Sequence, residues 1–139
     1  MKNWMTMISP AKIHVRFSDL DVLGHVNNNV YSSYFEIARV HYFEQMLGRN
    51  WNWQEDGIVL AKNEVEYIIP ILLHDEPMVS MRVEKIGTKS FTLSYEIKVK
   101  DKLYAKGASV LVCYNGKKQV SIEIPATMRA QLEQLKKEQ

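Results

Sequence analysis

The sequence has one cysteine, Cys113, four prolines and six glycines in 139 residues. A single cysteine excludes an internal disulfide framework, and no His/Cys cluster has zinc-ligand spacing, so neither a metal nor a cofactor is expected. A reducing compartment suits this cysteine usage. Charge of neither sign dominates: 18 Lys and Arg stand against 16 Asp and Glu, net +2, too little to argue for nucleic acid, although mild positivity suits a small anionic ligand. Long apolar runs are also missing. None approaches the roughly 20 residues of a membrane span, and "MKNWMTMISPAK" lacks the apolar core and small-residue cleavage site of an export signal. The expectation is a soluble cytoplasmic protein with no membrane span. Repeats, low-complexity tracts and linkers are absent, so residues 1–139 are expected to form one domain.

What is present is a normal apolar fraction, 46%, arranged with two periods. "KIHVRFS" alternates Ile13, Val15 and Phe17 against His14, Arg16 and Ser18, a half-buried strand. From Val30 to about Leu47 the spacing becomes helical, with Tyr31, Tyr34, Phe35, Ala38, Tyr42 and Met46 on one side and Gly48 as the stop. Strands follow. "GIVLAKNEVEYII" reads as one long strand with Val59, Ala61, Val65, Tyr67 and Ile69 on a common face. "EPMVSMRVEKI" aligns Val79, Met81 and Val83, and "KSFTLSYEIKVK" aligns Phe91, Leu93, Tyr95, Ile97 and Val99, with the short links "GTK" and "KDK" predicting hairpins. "YAKGASVLVCY" ends apolar at both parities, the mark of a strand covered on both faces, and a partner subunit is the economical cover. Asn115-Gly116 predicts a type I′ hairpin into "KQVSIEI", and "ATMRAQLEQLKKEQ" a polar terminal helix. The order is strand, long helix, about five strands in an antiparallel meander, short helix: an α+β class.

The polar stretch "SDLDVLGHVNNNVYSSYFEIAR" (residues 18–39) carries the chemistry. A helix needs one capping side chain, and this entry offers several. Asp19 and Asp21 lie two apart in extended or turning chain, so their side chains point to different sides and only one faces the helix start. Gly24 admits a close turn, and the residues after it expose N–H groups able to hold an anion. A carboxylate beside free backbone donors is the minimum kit for hydrolysing an activated acyl group: the donors hold the oxyanion, and the carboxylate deprotonates water or attacks the carbonyl. A thioester suits so sparse a site, because its thiolate leaves without a strong general acid. The plain alternatives are that Asp and Asn cap, that His25 is a structural hydrogen-bonding group, that the aromatic stripe is core, and that Cys113 is packing.

This stretch resembles the helix-entry motif of the hotdog-fold acyl thioesterases, especially the 4-hydroxybenzoyl-CoA and long-chain acyl-CoA thioesterase branch. The resemblance implies a hotdog fold, one long helix wrapped by a curled antiparallel sheet with a short C-terminal helix. It implies an acyl-CoA thioesterase, a hydrolase whose CoA is part of the substrate and which needs no cofactor. Asp21, three residues before Gly24, matches the catalytic carboxylate, Asp19 becomes structural, and the backbone N–H of Asn28 matches the carbonyl-polarising donor. Tyr31 matches a recurrent aromatic position. "IGTKSFTLSYEI" resembles the branch's strand pair with a basic, serine-containing turn, which makes Lys89 and Ser90, with Lys62, candidate CoA contacts. "LDVLGHVNN" also resembles acyl-acyl-carrier-protein thioesterases: Asp21 and His25 match two positions of their trio, which makes His25 a further catalytic candidate for orienting water or the acyl carbonyl, but Leu23 replaces the asparagine between them. The hydratase signature, with its proline turn and longer Asp-to-His spacing, is absent. Two alternatives stay open: an acyl-acyl-carrier-protein thioesterase, and a non-catalytic acyl-thioester-binding protein. The partners implied are the acyl carrier substrate and a second copy, as homodimer or homotetramer, with Met46, Trp51, Ile58 and Leu60 as candidates to set pocket depth.

Overall fold

A computed structural model describes residues 7–139; residues 1–6, half of the stretch read for an export signal, lie outside the described residues. The elements are β1 (Ala11–Lys12), α1 (Tyr31–Leu47), β2 (Gly57–Tyr67), β3 (Met78–Ile86), β4 (Ser90–Val99), β5 (Lys102–Asn115), β6 (Val120–Ser121) and α2 (Ala126–Glu138). Two single 3-10 turns, Phe17–Asp19 and Asn28–Val30, lie at the start of the polar stretch and at its entry into α1. All strand pairs are antiparallel in the order β1-β3-β4-β5-β2, with β6 added to β5.

The sheet curls round α1. Its inner face is laid down by period-two side chains from β3 (Val79, Met81, Val83), β4 (Phe91, Leu93, Tyr95, Ile97) and β5 (Ala105, Leu111, Cys113), all buried. Against them α1 buries Tyr31, Tyr34, Phe35, Ala38, Tyr42, Phe43 and Met46. Phe35 stacks on Tyr95 with ring centroids 4.4 Å apart and 7° between planes. Gly107 makes room for this, since a Cβ there would run into the Phe35 ring. The terminal helix is polar only on its outer side. Its Met128, Leu132 and Leu135 stripe is buried against the core, and the Gln139 side chain reaches the backbone of Val83 as donor (2.6 Å) and acceptor (2.9 Å).

Four expectations need correction. The first strand is shorter than its alternation suggests. Ile13 and Val15 are buried, but Phe17 is 80% exposed, because the chain turns there to bring Asp19 back onto Arg16. In β2 the common face breaks: a bulge at Ala61, between Leu60 and Lys62, shifts the parity. Ile58 and Leu60 therefore pair with the inward Cys113 and Leu111, Val65 and Tyr67 stay on that inner side, and Val59 is turned outward, 42% exposed. The meander runs from β3 to β6 and leaves β2 out. The strand β2 pairs with β5, because the connection 68–77 passes beneath the start of α1, where the Ile71 carbonyl accepts the Val26 N–H at 2.8 Å, too long a route for a hairpin. Asn115-Gly116 opens a four-residue turn instead of a type I′ pair. The Asn115 side chain accepts from the N–H groups of Lys117 and Lys118, and Gln119 takes the positive φ of 57°. On β5, Leu111 and Cys113 are buried while Val110 and Val112 are half-buried on the outer face.

Candidate active site

The polar stretch divides its two aspartates by burial. Asp19 is 1% exposed and fully engaged: it accepts from the Arg16 N–H (3.0 Å), the Arg16 guanidinium (3.0 Å to Nη2) and the Tyr34 hydroxyl (2.8 Å). Burial alone would raise its pKa, but these donors outweigh it and hold the carboxyl below its ordinary value of 3.8. The Tyr34 hydroxyl is pushed up correspondingly, by burial first and by the Asp19 carboxylate second. A carboxylate with all of its acceptor capacity directed inward is a structural anchor.

Asp21 sits at the first corner of a β-turn. The Gly24 N–H donates to the Asp21 carbonyl (3.1 Å), and Gly24 takes φ +81°, a conformation that costs a side-chain-bearing residue strain. Asp21 Oδ1 accepts from the N–H of Leu23 (2.9 Å) and His25 (3.3 Å), an Asx-turn that fixes the carboxylate while Oδ2 keeps no protein donor among the described residues. The turn is closed below by Asp21 N–H to the His25 carbonyl (2.8 Å) and by Asn27 N–H to the Asp19 carbonyl (2.8 Å). His25 thus builds the turn with its backbone, and a bridge to Leu72 holds it to the β2–β3 connection.

At the helix entry the donors are shared out in order. The Asn29 N–H goes to the Asn27 side chain (3.0 Å) and the Val30 N–H to the Asn27 carbonyl (2.8 Å). The Asn28 N–H finds no acceptor among the described residues, and Asn28 is exposed. The Asp21 Oδ2 and the first donor of the helix entry are therefore left open on a loop whose two ends are tied together, as is the Val22 N–H at the exposed tip of the turn.

The other candidates separate. Tyr31 is buried, its ring 4.8 Å from that of Tyr67 and nearly perpendicular to it, and burial raises its phenol pKa. Lys62 is an exposed residue in the middle of β2, paired with Glu64 at 2.9 Å. Lys89 lies in the β3–β4 turn and Ser90 opens β4; the Gly87 carbonyl of this turn accepts from Arg129 at 2.7 Å. Ser90 pairs with Val112 beside the β2 start, while Tyr67, at the β2 end, pairs with Ala105. Seven residues of β5, from Val112 to Ala105, about 23 Å, put Lys89 and Ser90 toward the opposite end of the sheet from Asn28.

Three features escaped the sequence reading. A cavity of 370 Å³ opens between the second half of α1 and the first half of β2, lined among others by Arg39, Val40, Phe43, Trp53, Ile58 and Leu60. Ile58 and Leu60 were expected there; Met46 and Trp51 are not in its lining, and Trp53 is. Arg39 is only 8% exposed and forms no ion pair among the described residues. It donates to the Tyr95 hydroxyl (3.0 Å) and Ser109 Oγ (3.5 Å), Ser109 donates to Asn63 (2.6 Å), and Asn63 to Ser32 (2.7 Å). The Tyr67 hydroxyl donates to the Asn28 carbonyl (3.0 Å). Arg39 stands at helical spacing among apolar positions, a signal available in the sequence, whereas the Tyr67 contact joins residues 39 apart and has none.

Residues 15–132 match the model of the thioesterase-like superfamily. The chain is similar to the crystal structure of a thioesterase complexed with coenzyme A and Zn from Thermus thermophilus, at 36% identity, covering 93% of this chain and 94% of that one with a TM-score of 0.81. It is 28% identical to the long-chain acyl-CoA thioesterase FadM of Escherichia coli (strain K12), over 91% of this chain and 98% of FadM. It is 32% identical to YsmA of Bacillus subtilis (strain 168) over 68% of this chain and 64% of YsmA, so that this match spans less than two thirds of that relative.

Proposed function

Since the chain belongs to the thioesterase-like superfamily and is a thioester hydrolase of hotdog fold, we propose that it is an acyl-CoA thioesterase working through the Asp21 carboxylate. One observation carries the reading: on the tied loop, the Asp21 Oδ2 at the turn and the Asn28 N–H at the helix entry are both left without protein partners among the described residues. An activated acyl carbonyl needs those two groups. The Asn28 N–H receives the carbonyl oxygen as charge develops on it. The carboxylate takes a proton from the attacking water, or itself adds to the carbonyl and is then released by water. The carbon–sulfur bond breaks, the CoA thiolate departs and the free acid remains. No strong acid is needed for so stable a leaving group, and the site offers none.

Acyl-CoA is favoured as the carrier by the similarity to FadM over nearly its whole length and by the coenzyme A held in the Thermus structure. Lys89 and Ser90, with Lys62, are the basic and hydroxyl groups assigned to the CoA end. In one copy they stand away from Asp21. A second copy, paired antiparallel along the open edge of β2, would carry its own β2 start toward this copy's Asn28, and the reading therefore includes a homodimer.

Thiol release measured across aliphatic and aromatic acyl-CoA esters, with one acyl-carrier-protein thioester, tests the proposal. Asp21→Asn is expected to keep thermal stability and lose about 10²- to 10⁴-fold in turnover. Unchanged turnover in that variant would sink the assignment, and hydrolysis of the carrier-protein thioester alone would transfer it to the other carrier.

A further inference from the structure

We infer that the cavity between α1 and β2 selects an acyl group carrying a carboxylate at its far end, and that Arg39 receives that carboxylate. The inference rests on the thioester hydrolysis and the dimer proposed above and names the substrate class of that reaction. Arg39 stands between Phe35 and Phe43 at four-residue spacing, on the buried stripe of α1, a position that ordinarily takes an apolar side chain. It holds instead a guanidinium that is 8% exposed. Its surroundings supply hydrogen bonds and no countercharge. Nη1 donates to the Tyr95 hydroxyl (3.0 Å) and, at longer range, to Ser109 Oγ (3.5 Å), both neutral acceptors, and no ion pair reaches it among the described residues. A buried charge without a partner is unfavourable. An anion entering the cavity would relieve it.

The same contacts set the direction of the guanidinium. Ser109 donates its own proton to Asn63 (2.6 Å) and so turns lone pairs toward Arg39, while Tyr95 is held by its stacking on Phe35. With Nη1 engaged, Nε and Nη2 have no protein acceptor among the described residues, where no side-chain nitrogen or oxygen is both buried and unpartnered. These two donors therefore reach open space, and the cavity that Arg39 lines is that space. They form one edge of the planar fork, two parallel N–H groups matched to the two oxygens of a carboxylate. The apolar wall, with Val40, Phe43, Trp53, Ile58, Leu60 and Leu111, suits the methylenes that precede it. Leu111 and Arg39 are buried and make the floor, whereas Val40, Trp53 and Leu60 are exposed and make the mouth. The acidic groups of the lining belong to the mouth as well: Glu44 is paired with Arg49 at 3.3 Å, and Glu36 is exposed. In the proposed dimer the start of β2, and this cavity with it, lies toward the other copy's Asn28, so a thioester held there directs its acyl group at Arg39.

The test compares kcat/KM for adipoyl-CoA against hexanoyl-CoA, and for suberoyl-CoA against octanoyl-CoA, pairs of equal carbon count that differ in the terminal carboxylate. Wild type is expected to favour the carboxylate-ended ester of each pair. Arg39→Met should cut that preference about 10- to 100-fold, the worth of a hydrogen-bonded charge pair, with a thermal midpoint kept or raised by removal of the buried charge. Arg39→Lys keeps the charge and loses the fork, and should retain only part of the preference. A wild type that favours the plain esters, or a preference that survives Arg39→Met intact, overturns the inference. A change of Arg39→Met from dimer to monomer in sedimentation also overturns it, since a carboxylate of the second copy would then be the partner of Arg39. Should Arg39→Met fail to fold, an undiminished preference in Arg39→Lys overturns it. Calorimetric binding of adipoyl-CoA and hexanoyl-CoA to Asp21→Asn separates the two levels. Tighter binding of adipoyl-CoA supports the pocket whatever the turnover of that variant; equal binding with turnover lost removes the pocket alone, and full turnover removes the catalytic assignment of Asp21.

Discussion

At the scale of single residues, the difference between Asp19 and Asp21 is one of satisfied valence. Both precede the helix, yet one carboxylate is buried with three kinds of donor and the other keeps an oxygen open. Asp19→Ala would strand the Tyr34 hydroxyl and the Arg16 N–H, and the loss of buried hydrogen bonds of this kind predicts a destabilisation of about 2 kcal/mol in urea unfolding. The ionised form of Asp19 is favoured in the folded protein, so its contribution is complete above the ordinary value of 3.8 and fades as the pH falls through the lower folded value. Acid unfolding of the wild type should accordingly be steeper below pH 3.8 than that of Asp19→Asn. Cys113 belongs to the same scale: burial pushes its thiol up to about 11, which fits a packing role beside Met128, 3.8 Å away, and leaves no thiolate for chemistry.

At the scale of elements, the union of α1 with the sheet depends on one close approach. Gly107 on β5 lies under Phe35, and the stacked Phe35–Tyr95 pair fills the space a side chain would need. Gly107→Ala should cost about 1–3 kcal/mol by overpacking, read as a lowered thermal midpoint, and Phe35→Leu in the same chain should recover part of it. The bulge at Ala61 is the second device at this scale. It turns Ile58 and Leu60 inward to line the cavity while keeping Val65 and Tyr67 on the inner side further along, so a single extra residue aligns both the cavity wall and the tyrosine that reaches Asn28.

At the scale of the whole molecule, β2 is an eleven-residue strand with one edge paired to β5 and no strand on the other among the described residues. A long open edge is a template for another strand. Val110 and Val112, half-buried on the outer face of β5, and the separation of Lys89 from Asp21 point the same way. Sedimentation velocity over a concentration range is expected to give a dimer or a multiple of it, and a monomer with full activity would contradict a site shared between copies. No helix among the described residues is long and apolar enough to cross a membrane.

Much of this was legible in the residues themselves. The helical and alternating periods gave α1, β3 and β4 with their buried faces, because burial on one side of a regular element leaves its period in the sequence. The turn at Asp21 and Gly24 was legible for a local reason, since an Asx-turn and a positive φ are decided within four residues. What tertiary structure alone decided is whatever joins distant residues or breaks a period. The parity shift at Ala61, the placement of β2 beside β5, the choice between two aspartates by burial, and the reach of Tyr67 to a carbonyl 39 residues earlier have no local signature. Each is fixed only when the sheet closes round the helix and sets which groups lose water and which keep a free valence.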